Sequence, residues 1–423
     1  MSQVDFSAQV EESFLDGLIA DAVCTDLENG GRCCVDAEQR GAVLTALEGN
    51  SYKLSAGGSL SNTLVALSRL VEQHTKWTRE HAHVDGGVVV TEEVQQQQQE
   101  GEEGEESAAP VSVSIACSLG PDPLGDFYRT KVKHYGVHVL SEPGDGGTTG
   151  SVIVLTTPDA QRTMLSCWGT SASLPYDQTL DDAVAASDVL VIEGYLWEMP
   201  ETIRSIKRAL RTAKANGVTV AFTASDRTCV ERHGDEFWQL LRSGDVDVLF
   251  CNREEALAMT RAAPDGLAAG AASETVDALA EHASTVIVTD GSQGAYLRRG
   301  DERVHVPPHW LDSPPVDTCG AGDAYAAGCL FGMLQGRSLP AVGAMGARVA
   351  SVVISQAGAR LSERDAATLM QDPLFADAAE RVPFQGKASP DGLSAFSHLH
   401  AAARAEGWGK LNSHLSNLKR DSK

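Results

Sequence analysis

The sequence predicts an α/β protein with a doubly wound, mostly parallel sheet, and three observations carry that prediction. Short β-branched runs alternate with amphipathic stretches along most of the chain, the pattern of strands joined by crossover helices. The 423 residues, 42% of them hydrophobic, suffice for one large core. In the last third, Asp317-Thr-Cys-Gly-Ala-Gly-Asp323 runs into Ala324-Tyr-Ala-Ala-Gly-Cys-Leu330, a glycine-bearing loop opening directly into a helix.

In chain order, the first signal is Ala56-Gly57-Gly58-Ser59-Leu-Ser-Asn62-Thr63, a double-glycine turn leading into a helix predicted over Asn62–Val71. The segment Glu72–Pro110 breaks the scheme. Its glutamine run, Gln95–Gln99, and the acidic stretch from Glu100 to Glu106 offer little to bury, so it is predicted to be a disordered insertion, with His81 and His83 in solvent. A strand is predicted over Val111–Cys117, followed by Gly120-Pro-Asp122-Pro-Leu-Gly125, a tight connection with an architectural role. Between Tyr135 and Thr170 lie two β-prone runs, Ser151–Thr156 and Arg162–Cys167.

Strands Val189–Ile192, Val218–Phe222, Val246–Phe250 and Thr285–Thr289 then alternate with helices over Met199–Asn216, Glu254–Thr260 and Ser273–His282. Thr289-Asp-Gly291-Ser-Gln-Gly294 reads as a strand end and glycine turn before a second strand, Ala295–Arg298. Helices are predicted from Asp323 to about Leu334 and from Leu339 to about Gln356, with a polar tail over Gly409–Lys423.

Composition narrows the function classes. A formal charge of −24 disfavours nucleic acid and anionic membrane surfaces as partners. Nine cysteines without zinc-like spacing suggest reduced thiols rather than a disulfide framework. The start, Met1-Ser-Gln-Val-Asp5-Phe6, has neither a basic region nor an apolar core, and no apolar run is long enough to span a bilayer. The expectation is a soluble, intracellular, cytoplasmic protein, or an organellar one if its N-terminus is shortened.

The chemistry concentrates at the 317–323 loop. A helix begins with unpaired N–H groups and a partial positive charge, so Gly320, Ala321 and Gly322 can present amides to an anion. Asp323, in the first turn, can accept a proton from a hydroxyl. The same residues also describe a plain tight turn with a capping aspartate. Neither a P-loop nor a Gly-x-Gly-x-x-Gly fingerprint occurs.

The Asp317–Asp323 pattern resembles the C-terminal signature of the PfkB carbohydrate kinase family, the group with ribokinase, fructokinase and adenosine kinase, and further segments resemble it in the family's order. The resemblance implies a ribokinase-like three-layer α/β/α sandwich with a mostly parallel central sheet and a small β-sheet lid. It places one kinase domain over 1–408, with lid segments about 5–55 and 135–170. It implies an ATP-dependent phosphotransferase acting on a primary hydroxyl of a sugar or nucleoside, with Mg2+ and K+ as cofactors and a monomer or homodimer as the assembly. Asp323 becomes the base, and Gly320, Ala321 and Gly322 the anion hole. The resemblance assigns the substrate to Asp5, Gly57, Gly58 and Asn62.

Asn252-Arg-Glu-Glu255 matches the family's Asn-x-x-Glu motif, which implies that Glu255 holds Mg2+ through water; as residues alone they make an equally good capping box. Thr289, Gly291 and Gly294 become nucleotide contacts. Gly358, in Ser355-Gln-Ala-Gly358-Ala359, resembles the loop closing the adenine pocket, and that loop with Asp317 implies a monovalent cation site. Ile192-Glu-Gly-Tyr-Leu-Trp197, Ser225-Asp226 with Arg232-His233, and Thr156-Thr-Pro-Asp-Ala-Gln-Arg162-Thr163 are similar to the adenosine-kinase-like branch, including plant and cyanobacterial members.

One departure stands out. Family members open with an apolar strand followed by Gly-x-x-x-x-Asp, whereas this chain starts as if that strand had been cut away, with Asp5 where the aspartate is expected. The expectation is a shortened gene model. Two other readings accompany the kinase: a noncatalytic scaffold that keeps the fold for partner binding, and a phosphomethylpyrimidine-type kinase or hydrolase, for which Cys319 beside the anion-hole loop speaks.

Overall fold

A computed structural model describes residues 3–20, 31–81 and 111–376, apart from 143, 145, 160, 265 and 267–269. These residues separate into two compact units where the sequence suggests one domain over 1–408. The chain up to 174, with 290–295 and 304 onward, forms one unit, and 175–289 with 296–303 the other. Each unit buries a core of its own.

The first unit begins with strand β1 (Gln3–Gln9), helix α1 (Glu12–Ala20), β2 (Arg32–Cys34), α2 (Ala37–Ala46), β3 (Tyr52–Gly57) and the long α3 (Ser59–His81). It continues with β4 (Val113–Ile115), α4 (Pro123–His134), β5 (Val137–Val139), β6 (Ser151–Thr156) and β7 (Arg162–Cys167). Five strands form a mixed sheet in the order β2-β7-β6-β1-β3, while β4 and β5 pair in parallel as a sheet of their own. The period-2 pattern of β1 buries Val4, Phe6 and Ala8 and turns Asp5 to the other face. Its register sets Gln3 opposite Gly57 and Asp5 opposite Ser55 on β3.

The second unit holds α5 (Gln178–Ala185), β8 (Val189–Glu193), α6 (Pro200–Ala215), β9 (Thr219–Thr223), α7 (Arg227–Ser243), β10 (Val248–Asn252), α8 (Arg253–Arg261), α9 (Ala272–Leu279) and β11 (Thr285–Thr289). With β12 (Ala295–Arg299) and β13 (Glu302–Val306) the strands make a six-stranded sheet, β13-β12-β11-β10-β9-β8, in which β8 to β11 run parallel. Val248–Cys251 and Thr285–Val288 are buried throughout, as strands covered on both faces must be. Trp197, Phe222 and Phe237 meet edge to face at 5.0–5.8 Å in this core. Trp238 donates its indole N–H to the Met259 carbonyl at 2.7 Å.

The chain returns to the first unit with α10 (Ala321–Leu334), α11 (Leu339–Ile354), α12 (Glu363–Leu369) and α13 (Pro373–Ala376). Gly328 within α10 and Gly346 within α11 let the two helices lie close, and a Cβ at Gly328 would stand 2.6 Å from the Met345 carbonyl. A Cβ at Gly346 would stand 2.7 Å from Cys329 Sγ and 2.9 Å from Tyr325 Cε1.

Three expectations need correction. Residues 72–81 belong to α3 rather than to the insertion, because Leu70, Val71, His74 and Trp77 continue at helical spacing a stripe that low average hydrophobicity hides; His74 packs on Phe331 at 5.5 Å and His81 stacks on Trp77 at 4.3 Å. The rest of the insertion, 82–110, and the tail 409–423 lie outside the described residues. Val137–Val139 pairs with β4 and not with the strands expected as a lid. Cys33 is disulfide-bonded, which spacing arithmetic cannot foresee because the fold decides which thiols meet; Cys319 and Cys34 are among the free thiols. Asp122 takes the architectural role expected, capping α4 through Gly125 N–H at 2.8 Å and holding Thr149 N–H at 2.7 Å. Among the described residues no helix is long and apolar enough to cross a membrane.

Candidate active site

In the first unit, the start of α10 meets the start of α3. Asp323, in the first turn of α10, accepts hydrogen bonds from Ser59 Oγ at 2.6 Å and Asn62 Nδ2 at 2.9 Å. Asn62 is fixed in turn, its Oδ1 accepting from Arg360 Nε at 3.3 Å. Gly320 precedes the helix with φ +76°, and a Cβ there would lie 2.5 Å from Ala359 Cβ, so the turn admits only glycine. Beside Gly322 a Cβ would meet nothing within 4 Å. Neither the Gly320 nor the Gly322 N–H meets a protein acceptor among the described residues, whereas Ala321 N–H is turned to the Thr318 carbonyl at 3.3 Å. Of the three amides expected to form a cradle, the Gly320 and Gly322 N–H groups are thus the ones left without a protein acceptor among the described residues.

Asp5 pairs with Ser55 on β3, and its carboxyl reaches over the diagonal neighbour Gly57. A Cβ on Gly57 would sit 1.9 Å from Asp5 Oδ2 and 2.2 Å from its Cγ, so the glycine makes room for the carboxyl. Although the residue as a whole is half-buried, this crowding desolvates the carboxyl and pushes it up to about 7, against the downward pull of the Gln3 amide at 3.2 Å and the Arg360 charge. Gly58, at φ +101°, turns the chain from β3 into α3. Cys319 ties the groups together: desolvation first, then the charges of Asp317, Asp323 and Asp5, raise its thiol despite Arg162.

Asp317 and Gly358 are also together. Asp317 Oδ1 accepts from Arg162 Nη2 at 2.8 Å and Cys319 N–H at 2.9 Å, and Oδ2 from Gly358 N–H at 3.1 Å. Desolvation pulls this carboxyl upward, but the Cys319 N–H, the Arg162 guanidinium and the Gly358 N–H outweigh it and hold it below its usual range. Gly291 and Gly294 adopt φ of +52° and +89°, and a Cβ at Gly294 would stand 2.1 Å from the Val306 carbonyl.

The second unit gathers the remaining residues. Asn252 and Thr289 end neighbouring strands and face each other in the β10–β11 register, at the carboxyl edge of a parallel sheet. Asn252 and Glu255 form a reciprocal capping box: Glu255 N–H donates to Asn252 Oδ1 at 2.9 Å, and Glu255 accepts from Asn252 N–H at 2.9 Å and Nδ2 at 2.7 Å. Glu255 is buried, and desolvation pushes its carboxyl up to about 7, with Asp226 and Glu254 adding to the rise against the Asn252 backbone bond.

Comparison with known proteins decides the family. The pattern of the pfkB family carbohydrate kinases matches residues 107–366. The chain belongs to the PfkB family. It aligns over 88% of its length, and 96% of theirs, with the adenosine kinase from Sinorhizobium meliloti (TM-score 0.66, 30% identity) and a probable sugar kinase protein from Rhizobium etli CFN 42 (TM-score 0.67, 26% identity). It is 27% identical over 247 residues to a 5-dehydro-2-deoxygluconokinase of Geobacillus thermodenitrificans, covering 56% of this chain and 71% of that protein. The chain spans 29% to 73% of the length of the curated relatives it matches. Its fold is the ribokinase-like α/β fold, with mixed sheets and many helices.

Kinases of the PfkB family use ATP, generally with Mg2+. Glu255 fits a cation's needs: a desolvated carboxyl with two acidic neighbours is a place that positive charge relieves, and each oxygen keeps a lone pair for a hydrating water. Asp317 does not fit the expected K+. Its two oxygens face three N–H donors, one of them a guanidinium, and Gly358 offers it an amide rather than a carbonyl. Three residues bonded to the candidate site residues were not singled out by sequence: Ser59, Arg162 and Arg360. Their only signals are position, one turn before Asn62 for Ser59 and directly after Gly358-Ala359 for Arg360, while Arg162 is brought in by sheet pairing.

Proposed function

We propose that this protein transfers the terminal phosphoryl group of ATP to a primary hydroxyl of a sugar or nucleoside. The observation that carries the reading is the Asp323 carboxylate, held by Ser59 and Asn62 one residue beyond a glycine amide open to an anion. In this reading Asp323 takes the proton of the attacking hydroxyl as the new O–P bond forms and the O–P bond joining the γ-phosphoryl to the β-phosphate breaks, releasing ADP. The Gly320 and Gly322 N–H groups and the helix dipole stabilise the charge on the migrating phosphoryl. Asp5 and Asn62 supply acceptors and a donor for further hydroxyls of the substrate. Bound Mg2+ would neutralise phosphate charge, and Glu255 has the carboxylate to hold it through water; the family motif assigns Asn252 and Thr289 to the nucleotide. The reading puts the base of ATP at the 355–359 loop, whose Ser355 and Gln356 line an open hollow with Trp310, Leu311, Asp312 and Asp365.

The names of its relatives set the substrate panel: adenosine and other nucleosides, neutral hexoses, and 5-dehydro-2-deoxygluconate. Incubation with ATP and Mg2+, with ADP release and phosphorylated product measured for each, tests the proposal. Transfer to at least one is expected. ADP release at the rate seen without acceptor across the whole panel would favour a scaffold that keeps the fold without turnover.

A further inference from the structure

Asp317 stands between three separate stretches of the first unit: Arg162 opens β7, Cys319 belongs to the turn before α10, and Gly358 follows α11. Its side chain is only 14% exposed, and Arg162 is the one cation in an ion pair with it among the described residues. A cation arriving from solution at this carboxylate would stand beside the guanidinium. In a partly buried setting that repulsion opposes the ion's entry. A K+ ion also asks for oxygen ligands, and the groups turned to Asp317 are N–H donors.

We propose that Arg162 is the built-in cation of this site: its guanidinium holds Asp317, and through it the Thr318–Gly320 turn, so that the protein works without K+. Arg162 is a positioning residue, acting through Asp317 on the glycine amides that receive the phosphoryl group. The inference rests on the kinase reading for its effect on turnover, but not for its effect on cation binding. A guanidinium delivered by a strand cannot be diluted, and its directional N–H bond to Oδ1 favours one carboxylate orientation in a way a spherical ion does not.

The test compares wild type, Arg162→Ala and Arg162→Lys in buffers of equal ionic strength in which choline is exchanged for K+, with melting temperature and phosphoryl transfer both recorded. Wild type should melt at the same temperature and turn over at the same rate in either buffer. Arg162→Ala should lose about tenfold or more in turnover in choline. K+ should then restore part of that loss and raise the variant's melting temperature, because the uncovered carboxylate can take the ion. Arg162→Lys keeps the charge and should stay indifferent to K+, and it stands in if the alanine variant does not fold. A melting temperature of wild type that climbs with K+, or an alanine variant that ignores K+ in both readouts, overturns the proposal. The melting arm needs no substrate, so it decides on Arg162 even if no acceptor is phosphorylated, an outcome that would count against the kinase reading alone.

Discussion

Asp323 owes its orientation to two donors, Ser59 Oγ and Asn62 Nδ2, and Asn62 owes its own to Arg360. Removing one link should therefore loosen the base without removing it. Asn62→Ala is expected to lower kcat by about tenfold, the worth of a charged hydrogen bond, while leaving the melting temperature close to wild type. Asp5 carries the pH dependence. Its carboxyl titrates at about 7 in the fold and at 3.8 as a model acid, so it stabilises the folded state fully below 3.8 and loses that contribution as pH rises through about 7. Urea midpoints of wild type should fall relative to those of Asp5→Asn across that window. The ionised form is the better acceptor for hydroxyls, so kcat/KM should rise through about pH 7, and Asp5→Asn should flatten the rise. A Cβ added by Gly57→Ala displaces the same carboxyl and should raise KM about tenfold or more.

At the scale of elements, the β10–α8 junction and the α10 start make separate predictions. Glu255 titrates at about 7 in the fold against 4.5 as a model acid, which weakens the folded state by about 3 kcal/mol once both forms are ionised. Mg2+ favours the ionised carboxylate, so the rise in melting temperature that Mg2+ gives should grow as pH climbs through 7 and vanish in Glu255→Gln. A Mg2+ effect equal at acid and alkaline pH would contradict this account of the junction. The α10–α11 contact depends on Gly346, where a side chain meets Cys329 and Tyr325 at under 3 Å. Gly346→Val should cost about 1–3 kcal/mol or more through overpacking, read as a lower urea midpoint. Gly320→Ala asks an alanine to hold φ +76° against Ala359 and should reduce turnover more than stability, because the strain falls on the amides that the proposed reaction uses.

For the whole molecule, the parts legible in the sequence are those written in local pattern. The parallel strands β8 to β11 announce themselves as apolar runs, and Ser151–Thr156 and Arg162–Cys167 are found to the residue because they are short β-prone runs set among Gly-, Thr- and Pro-bearing turns. The glycine loop and Asp323 are legible because a helix start needs those residue types in that order. What stays hidden depends on contacts distant in sequence. Arg162 is 155 residues from Asp317, and Arg360 is 298 from Asn62, so no window over the chain joins them. The far end of α3 is hidden for another reason, since a polar, charged face masks its buried stripe. The central claim, a carboxylate base beside an amide cradle, is tested most directly by Asp323→Asn. With an acceptor that wild type phosphorylates, the variant should bind ATP with unchanged affinity and melt at the wild-type temperature, yet turn over about 10² to 10⁴ times more slowly. Turnover within a few-fold of wild type, with binding and melting intact, would contradict the account.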